Sequence, residues 1–344
     1  MANVDVVVPC YNYGHFLKAC VQSALAQEGV DVRVLIIDDA SSDDSVAVAK
    51  ELAHQDSRVR LIALTENVGM IRAMNRGVHE VDGDYFVKLD ADDLLPPGSL
   101  QRSLALLQQY PNVGFVYGRP RHFSGERPPP PRLGRPRWMV WPGREWLELR
   151  CQRAVNCISQ PEVVIRSSVL RAAGDYNADL PHTSDLEMWL RLAAISDVGR
   201  INGIDQGYYR VHPNSMQRTV NSGPLADLTG RRAAFLNFLA TAGQKLNGIA
   251  ELETAVRKSL AAQALDRICH SYDRAQQNSS REQQLVEFAS TTYPAFATLP
   301  RWQEVERRRR RRWRSRWSPA ALMASIARRT RGEWAHLRWM RTGV

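Results

Sequence analysis

Within its first 120 residues the chain repeats one pattern, a short β-prone run followed by a stretch of helical spacing. The runs fall at 4–9, 32–38, 59–64, 85–90 and 113–118, and they are rich in β-branched and aromatic residues. Helical spacing fills 16–26, 45–54, 69–81 and 98–109, with Ser42 or Asp43 as the expected N-cap of the second helix. Strands that alternate with helices build βαβ units, whose crossovers bring successive strands side by side in parallel. The expected fold is therefore α/β, a mostly parallel sheet flanked by helices.

Open sheets of this kind bind ligands at the carboxyl ends of their strands. Here those ends carry acid. The run at 85–90 leads into Asp90, Asp92 and Asp93, and the run at 32–38 ends in Asp38 and Asp39, followed by Ser41 and Ser42. The first run ends in Pro9, Cys10, Tyr11 and Asn12. Clustered carboxylates repel one another unless a cation neutralises them, and Mg²⁺ commonly sits between one or two carboxylates and substrate phosphates. Taken alone, a D-x-D reads first as an acidic loop capping the next helix. With three acceptor-bearing strand ends, the order suits a nucleotide: acids for base or ribose at one end, acids for a metal at the other.

The rest of the chain changes character. Residues 119–145 contain four consecutive prolines at 128–131 flanked by six arginines, a composition that excludes a regular helix or central strand and predicts a mobile loop over the sheet edge. Beyond about residue 224 strand signals fade and helices succeed one another. The expected division is a domain at 1–223, a helical region at 224–300 and a basic tail at 301–344. That tail holds 14 Arg, no Lys and three acids, so the remaining 300 residues carry 32 basic and 33 acidic side chains. The basicity of the protein belongs to its end.

No run approaches the roughly 18 apolar residues of a membrane span. Asp5 and Pro9 interrupt what would be a signal peptide. Five cysteines, odd in number and without C-x-x-C spacing, argue against a disulfide framework or a zinc site. The expectation is a cytoplasmic protein.

Six segments, in order, resemble the family 2 glycosyltransferases of the GT-A, Rossmann-like fold. They are Val8-Pro-Cys-Tyr-Asn12, Ile37-Asp-Asp-Ala-Ser-Ser-Asp43, Asn67-Val-Gly69 with Asn75 and Gly77, and Leu89-Asp-Ala-Asp-Asp-Leu-Leu95. Later come Thr183-Ser-Asp-Leu-Glu-Met-Trp-Leu-Arg-Leu192 and Tyr209-Arg-Val-His-Pro-Asn-Ser215. The resemblance implies an inverting, hexosyltransferase-type enzyme that moves a sugar from a nucleotide-diphosphate donor to a hydroxyl of a glycan or lipid-linked acceptor. It implies donor contacts at Pro9, Tyr11, Asn12, Asp38, Asp39, Asn75, Asp90 and Arg210, and a divalent metal, Mg²⁺ or Mn²⁺, at Asp92 and His212. Asp185 falls at the family's catalytic base, where a carboxylate takes the acceptor proton; its simpler reading is a helix cap. Glu187, two residues on, lies far around that helix.

Two positions depart from the pattern. Met74 stands where the family often has arginine before the asparagine, and Ser184 replaces the usual Glu before the base. These departures keep open a different reading, a catalytically degraded domain that binds nucleotide or serves as a scaffold through its tail. The tail itself has Arg307–Arg312 in a row, then Trp313, Arg314, Arg316 and Trp317, with Leu322, Met323 and Ile326 continuing an apolar patch. Arginine with tryptophan suits the headgroups of an anionic membrane, so peripheral contact with the inner membrane face is expected and nucleic acid is not; a solvated extension is the simpler alternative.

Overall fold

The computed structural model describes residues 2–132, 134–213, 223–274 and 276–310, with scattered positions after 310. Its described residues form two compact units, one built on 1–147 and 157–215, the other on 148–156 and 216–342.

The first unit is a single eight-stranded sheet in the order β3-β2-β1-β4-β7-β5-β8-β6. The strands are β1 (Asn3–Cys10), β2 (Asp31–Asp38), β3 (Val59–Ala63), β4 (Tyr85–Lys88), β5 (Val113–Phe123), β6 (Arg137–Trp141), β7 (Val164–Arg166) and β8 (Asp197–Arg210). β1 pairs in parallel with β2 and β4, β2 with β3, and β5 with β8. The short β7 is antiparallel to both β4 and β5, and β6 is antiparallel to β8. The mostly parallel α/β reading holds. Helices α1 (Gly14–Leu25), α2 (Ser45–Gln55), α3 (Met70–Val78) and α4 (Ser99–Gln109) follow the first four strands, and α5 (Gly143–Arg153), α6 (Ser167–Ala173) and α7 (Ser184–Ile195) come later.

Period-two alternation sorts the strands between two faces. Val6, Val8, Val34, Ile36 and Val87 join one core with Leu17, Val21, Leu104 and Leu107 of α1 and α4. The intervening residues face α3. A Cβ on Gly77 would lie 2.4 Å from a methyl of Val7, so only glycine lets α3 sit this close to β1.

Three expectations change. α2 begins at Ser45, so neither Ser42 nor Asp43 is its N-cap. Asp43 instead accepts hydrogen bonds from the amides of Ser45 (2.9 Å) and Gly14 (3.2 Å), tying α1 to α2. The strand expected at 113–118 runs on to Phe123. The proline run is fastened, not loose: Arg121 and the Tyr208 hydroxyl donate to the carbonyls of Pro130 and Pro129 (2.8 and 3.0 Å), and Arg132 pairs with the fully buried Asp205 at 2.7 Å. Proline lacks an N–H but keeps its carbonyl, and those carbonyls hold the loop here.

The second unit holds α8 (Pro224–Ala240), α9 (Ile249–Asp273), α10 (Ser279–Thr292) and α11 (Pro300–Arg310). No described helix is long and apolar enough to cross a membrane. α11 carries the first part of the arginine run, and two of its arginines are tied into this unit. Arg308 is buried against Asp273 at 3.1 Å, and Arg309 pairs with Glu282 at 2.7 Å and Glu306 at 2.8 Å. Trp313, Arg314, Arg316, Trp317 and Leu322 lie outside the described residues. Met323 and Ile326 are exposed.

Candidate active site

Strand ends carry the site. At the ends of β1 and β2 the backbone turns through the left-handed region at Asn12 (φ 58°) and Ala40 (φ 59°), two of three such non-glycine residues described. Left-handed backbone outside glycine is uncommon and collects at functional sites. Asn12 explains how its turn is held: its Oδ1 accepts from the amides of Ser42 (2.8 Å) and Asp43 (3.3 Å), and its own amide donates to Ser41 Oγ (2.9 Å).

Asp38 and Asp39 are both buried but differ in use. Asp39 accepts from the amides of Val68 (2.8 Å) and Gly69 (2.9 Å), one per oxygen, so both oxygens anchor the β3–α3 loop. Among the described residues the Asp38 carboxylate accepts only from Ser41 N (2.9 Å), and its buried Oδ2 has no hydrogen-bond partner. A buried carboxylate oxygen left unpaired is costly, so Asp38 retains a demand for a donor. Next to Pro9, which sits in β1 opposite Ile37, Tyr11 exposes 47% of its surface, an aromatic face open to solvent.

The acidic turn follows β4. Lys88 Nζ lies 2.6 Å from Asp90 Oδ1, and His212 Nε2 lies 2.9 Å from Asp92 Oδ2. His212 packs on the rings of Tyr13 and Phe16 at 5.7 and 5.3 Å. Asp93 is almost fully buried and accepts from the amide of Arg210 at 2.8 Å. Burial raises the pKa of Asp92, with the Asp90 charge adding to it, while His212 opposes the shift. Burial also raises Asp93 well above the usual carboxylate range, helped by Asp92 and Asp90. The cluster thus strains to hold its negative charge, which is the condition that a bound cation relieves.

Arg210 is buried rather than poised toward the solvent. Its guanidinium stacks between Phe16 (4.6 Å) and Phe123 (4.5 Å) and donates to the carbonyls of Asp92 (2.7 Å), Gly125 and Glu126. Asn75 is likewise engaged: its amide donates to Tyr176 O (2.8 Å) and accepts from Tyr176 N (2.9 Å), a clamp between α3 and the loop before α7.

Asp185 occupies the first turn of α7, whose N-cap position is Thr183, and it is partly exposed. Glu187 is buried and pairs with Arg191 at 2.8 Å. Burial raises the pKa of Tyr209, and the charges of Asp93, Asp90, Asp92 and Asp185 add to it. Burial raises Tyr176 too, with contributions from both Asp185 and Asp90.

Lys88 and Tyr176 escaped the sequence reading. Lys88 had a signal, as the only charged residue in the run at 85–89. Tyr176 had none, because its place depends on tertiary contacts.

Residues 5–171 match the family model described as glycosyl transferase family 2. An uncharacterized protein of Mycobacterium tuberculosis, MT1568, is 29% identical over 204 residues, which are 57% of this chain and 63% of that protein. Chondroitin synthase of Pasteurella multocida is 26% identical over 204 residues, 58% of this chain but 20% of that protein. The chain thus spans less than two thirds of these relatives. Residues 1–349 of S. aureus TarS, solved in complex with UDP-GlcNAc, share the fold with a TM-score of 0.60 at 12% identity, over 86% of this chain and 91% of that one.

Proposed function

We propose that this chain, whose residues 5–171 belong to glycosyl transferase family 2, transfers a sugar from a nucleotide-diphosphate donor to a hydroxyl acceptor with inversion at the anomeric carbon. The observation that supports this reading is the 2.9 Å contact of His212 with Asp92, which brings the acidic turn after β4 against the end of β8.

Each residue then has a role. Tyr11 offers its open ring to the base, and Asp38 accepts from a base or ribose donor with its unpaired oxygen. Asp39, Asn12, Asn75 and Arg210 act on the protein's own backbone and position the loops that carry these contacts. Asp90 meets the donor. Asp185 takes the acceptor proton as the hydroxyl attacks from the face opposite the diphosphate.

Asp92 and His212 fit a divalent metal. They are adjacent, an oxygen and an imidazole nitrogen, and Asp92 bears a charge that burial and Asp90 disfavour. Among the described residues no three His, Cys, Asp or Glu side chains form a complete cage. Mg²⁺ and Mn²⁺ suit such a partial one, since they keep waters and substrate phosphates among their ligands. When bound, the ion would offset charge on the departing diphosphate.

The acceptor is proposed to be a glycan or lipid-linked saccharide in cell-surface polysaccharide synthesis, with Arg307 and Arg310 available for an anionic membrane surface. The test is to incubate the protein with nucleotide-diphosphate sugars, Mn²⁺ and candidate acceptors, and to follow nucleoside diphosphate release and the anomeric configuration of the product. Transfer with inversion is the expected result. Absence of both binding and release with every donor would favour the non-catalytic scaffold.

A further inference from the structure

Lys88 closes β4 as a charged residue in an otherwise apolar strand. Its register partner is Val7 of β1, and side chains of paired residues point to the same side of a sheet. Val7 faces α3, so Lys88 does too. On that side Asn75 clamps the backbone of Tyr176.

The Lys88 side chain is only 7% exposed, and its ammonium lies 2.6 Å from Asp90 Oδ1. Asp90 is its one hydrogen-bond partner among the described residues. An ammonium has three N–H donors, so its bond to Asp90 leaves two without a protein partner among the described residues. Gln160 donates Nε2 to the Lys88 backbone carbonyl at 3.4 Å and keeps Oε1 buried without a partner. A cation with unfilled donors, next to a carboxylate, calls for a ligand that both accepts and donates. A phosphate only accepts, and the Asp90 charge would repel it. A hydroxyl does both.

We propose that Lys88, together with Asp90, recognises a hydroxyl of the transferred sugar and so sets donor specificity. This rests on the donor-site reading above. Lys88 orients Asp90 and supplies the hydrogen bond to the hydroxyl oxygen, while Asp90 accepts the hydroxyl proton.

The experiment compares wild type, Lys88→Met and Lys88→Arg. The probes are the nucleotide sugar that wild type turns over, analogues deoxygenated at each ring position in turn, and the free nucleoside diphosphate. A site built to bond a hydroxyl discriminates against its absence strongly, so wild type should reject one deoxy analogue by about 10²-fold or more in kcat/KM. Lys88→Met should lower the parent donor to the level of that analogue, with discrimination reduced to about tenfold or less and free nucleoside diphosphate affinity within about threefold. Lys88→Arg, which keeps the charge and moves the donors, should lose the same discrimination if Lys88→Met does not fold. Discrimination that survives in the folded variant overturns the proposal, as does equal weakening of the free nucleoside diphosphate. A wild type that binds no nucleotide sugar overturns the donor reading itself, and this proposal with it.

Discussion

His212 Nε2 and Asp92 Oδ2 lie 2.9 Å apart although 120 residues separate them in sequence. Two residues before His212, Arg210 bonds the Asp92 carbonyl through its side chain and Asp93 through its amide. Leu94 exchanges backbone hydrogen bonds with Tyr208 at 2.9 and 3.1 Å. The acidic turn and the end of β8 are therefore one construction, and the long separation in sequence disappears in the sheet.

Arg210 is expected to be a stability residue. Arg210→Ala strips three carbonyls of a buried donor and two rings of their partner, and should cost about 2 kcal/mol or more in chemical denaturation. Arg210→Lys should recover little of it, because an ammonium cannot reproduce the planar fork. A loss below about 1 kcal/mol, the scale of an exposed pair, would contradict this role.

Asp185→Asn keeps the shape of the side chain and removes its basicity. It should lower kcat by about 10²- to 10⁴-fold, the range of a general base. Nucleoside diphosphate affinity should stay within about twofold, since the interaction lost belongs to the transition state. Unchanged turnover would return Asp185 to a capping role.

Glu162, in the 3₁₀ turn Gln160–Glu162, gives a pH prediction. Its Oε1 accepts from Ser159 N at 2.8 Å, while the buried Oε2 has no partner among the described residues. Burial raises its pKa well above 4.5, with Asp185 adding to the shift and the Ser159 amide and Arg200 opposing it. The folded protein then binds a proton that the unfolded chain releases, so this stability is complete below the unfolded pKa and is lost as pH rises through the folded one. Glu162→Gln mimics the protonated form. Its melting temperature relative to wild type should climb between pH 4 and pH 8, and a constant difference would show that Glu162 does not titrate this way.

In the helical unit, Arg308→Ala leaves the buried Asp273 carboxylate without its cation. The expected cost is about 3–5 kcal/mol. Arg307→Ala, measured in the same denaturation series, should change stability by less than about 0.5 kcal/mol as an ordinary surface substitution. Equal effects would mean that the arginine run acts as one charged block.

Much of this was legible in the sequence because strand periodicity and acid at strand ends are local signals. The four early βαβ steps and the acid around Asp38 and Asp90 needed nothing else, whereas Asp185 and His212 were marked only by the family resemblance. What was hidden depends on distant partners. That Asp39 holds the Val68 and Gly69 amides, and Arg210 two loops and two rings, follows from burial that a polar residue's identity does not announce. Within the basic tail, the pairing of Arg308 and Arg309 with acids on α9, α10 and α11 was hidden for the same reason. Proline's conformational limits suggested a loose loop at 128–131, but not where its carbonyls would bond.

The most direct test of the donor site is thermal stabilisation by a panel of nucleoside diphosphates, with and without Mn²⁺, on wild type and Asp92→Ala. A ligand at 100 times its Kd adds about 2.7 kcal/mol to the folded state. One diphosphate should raise the melting temperature of wild type only with metal, and Asp92→Ala should abolish that shift while keeping its own cooperative transition. No shift with any diphosphate, or a metal-dependent shift that survives in Asp92→Ala, would contradict the account.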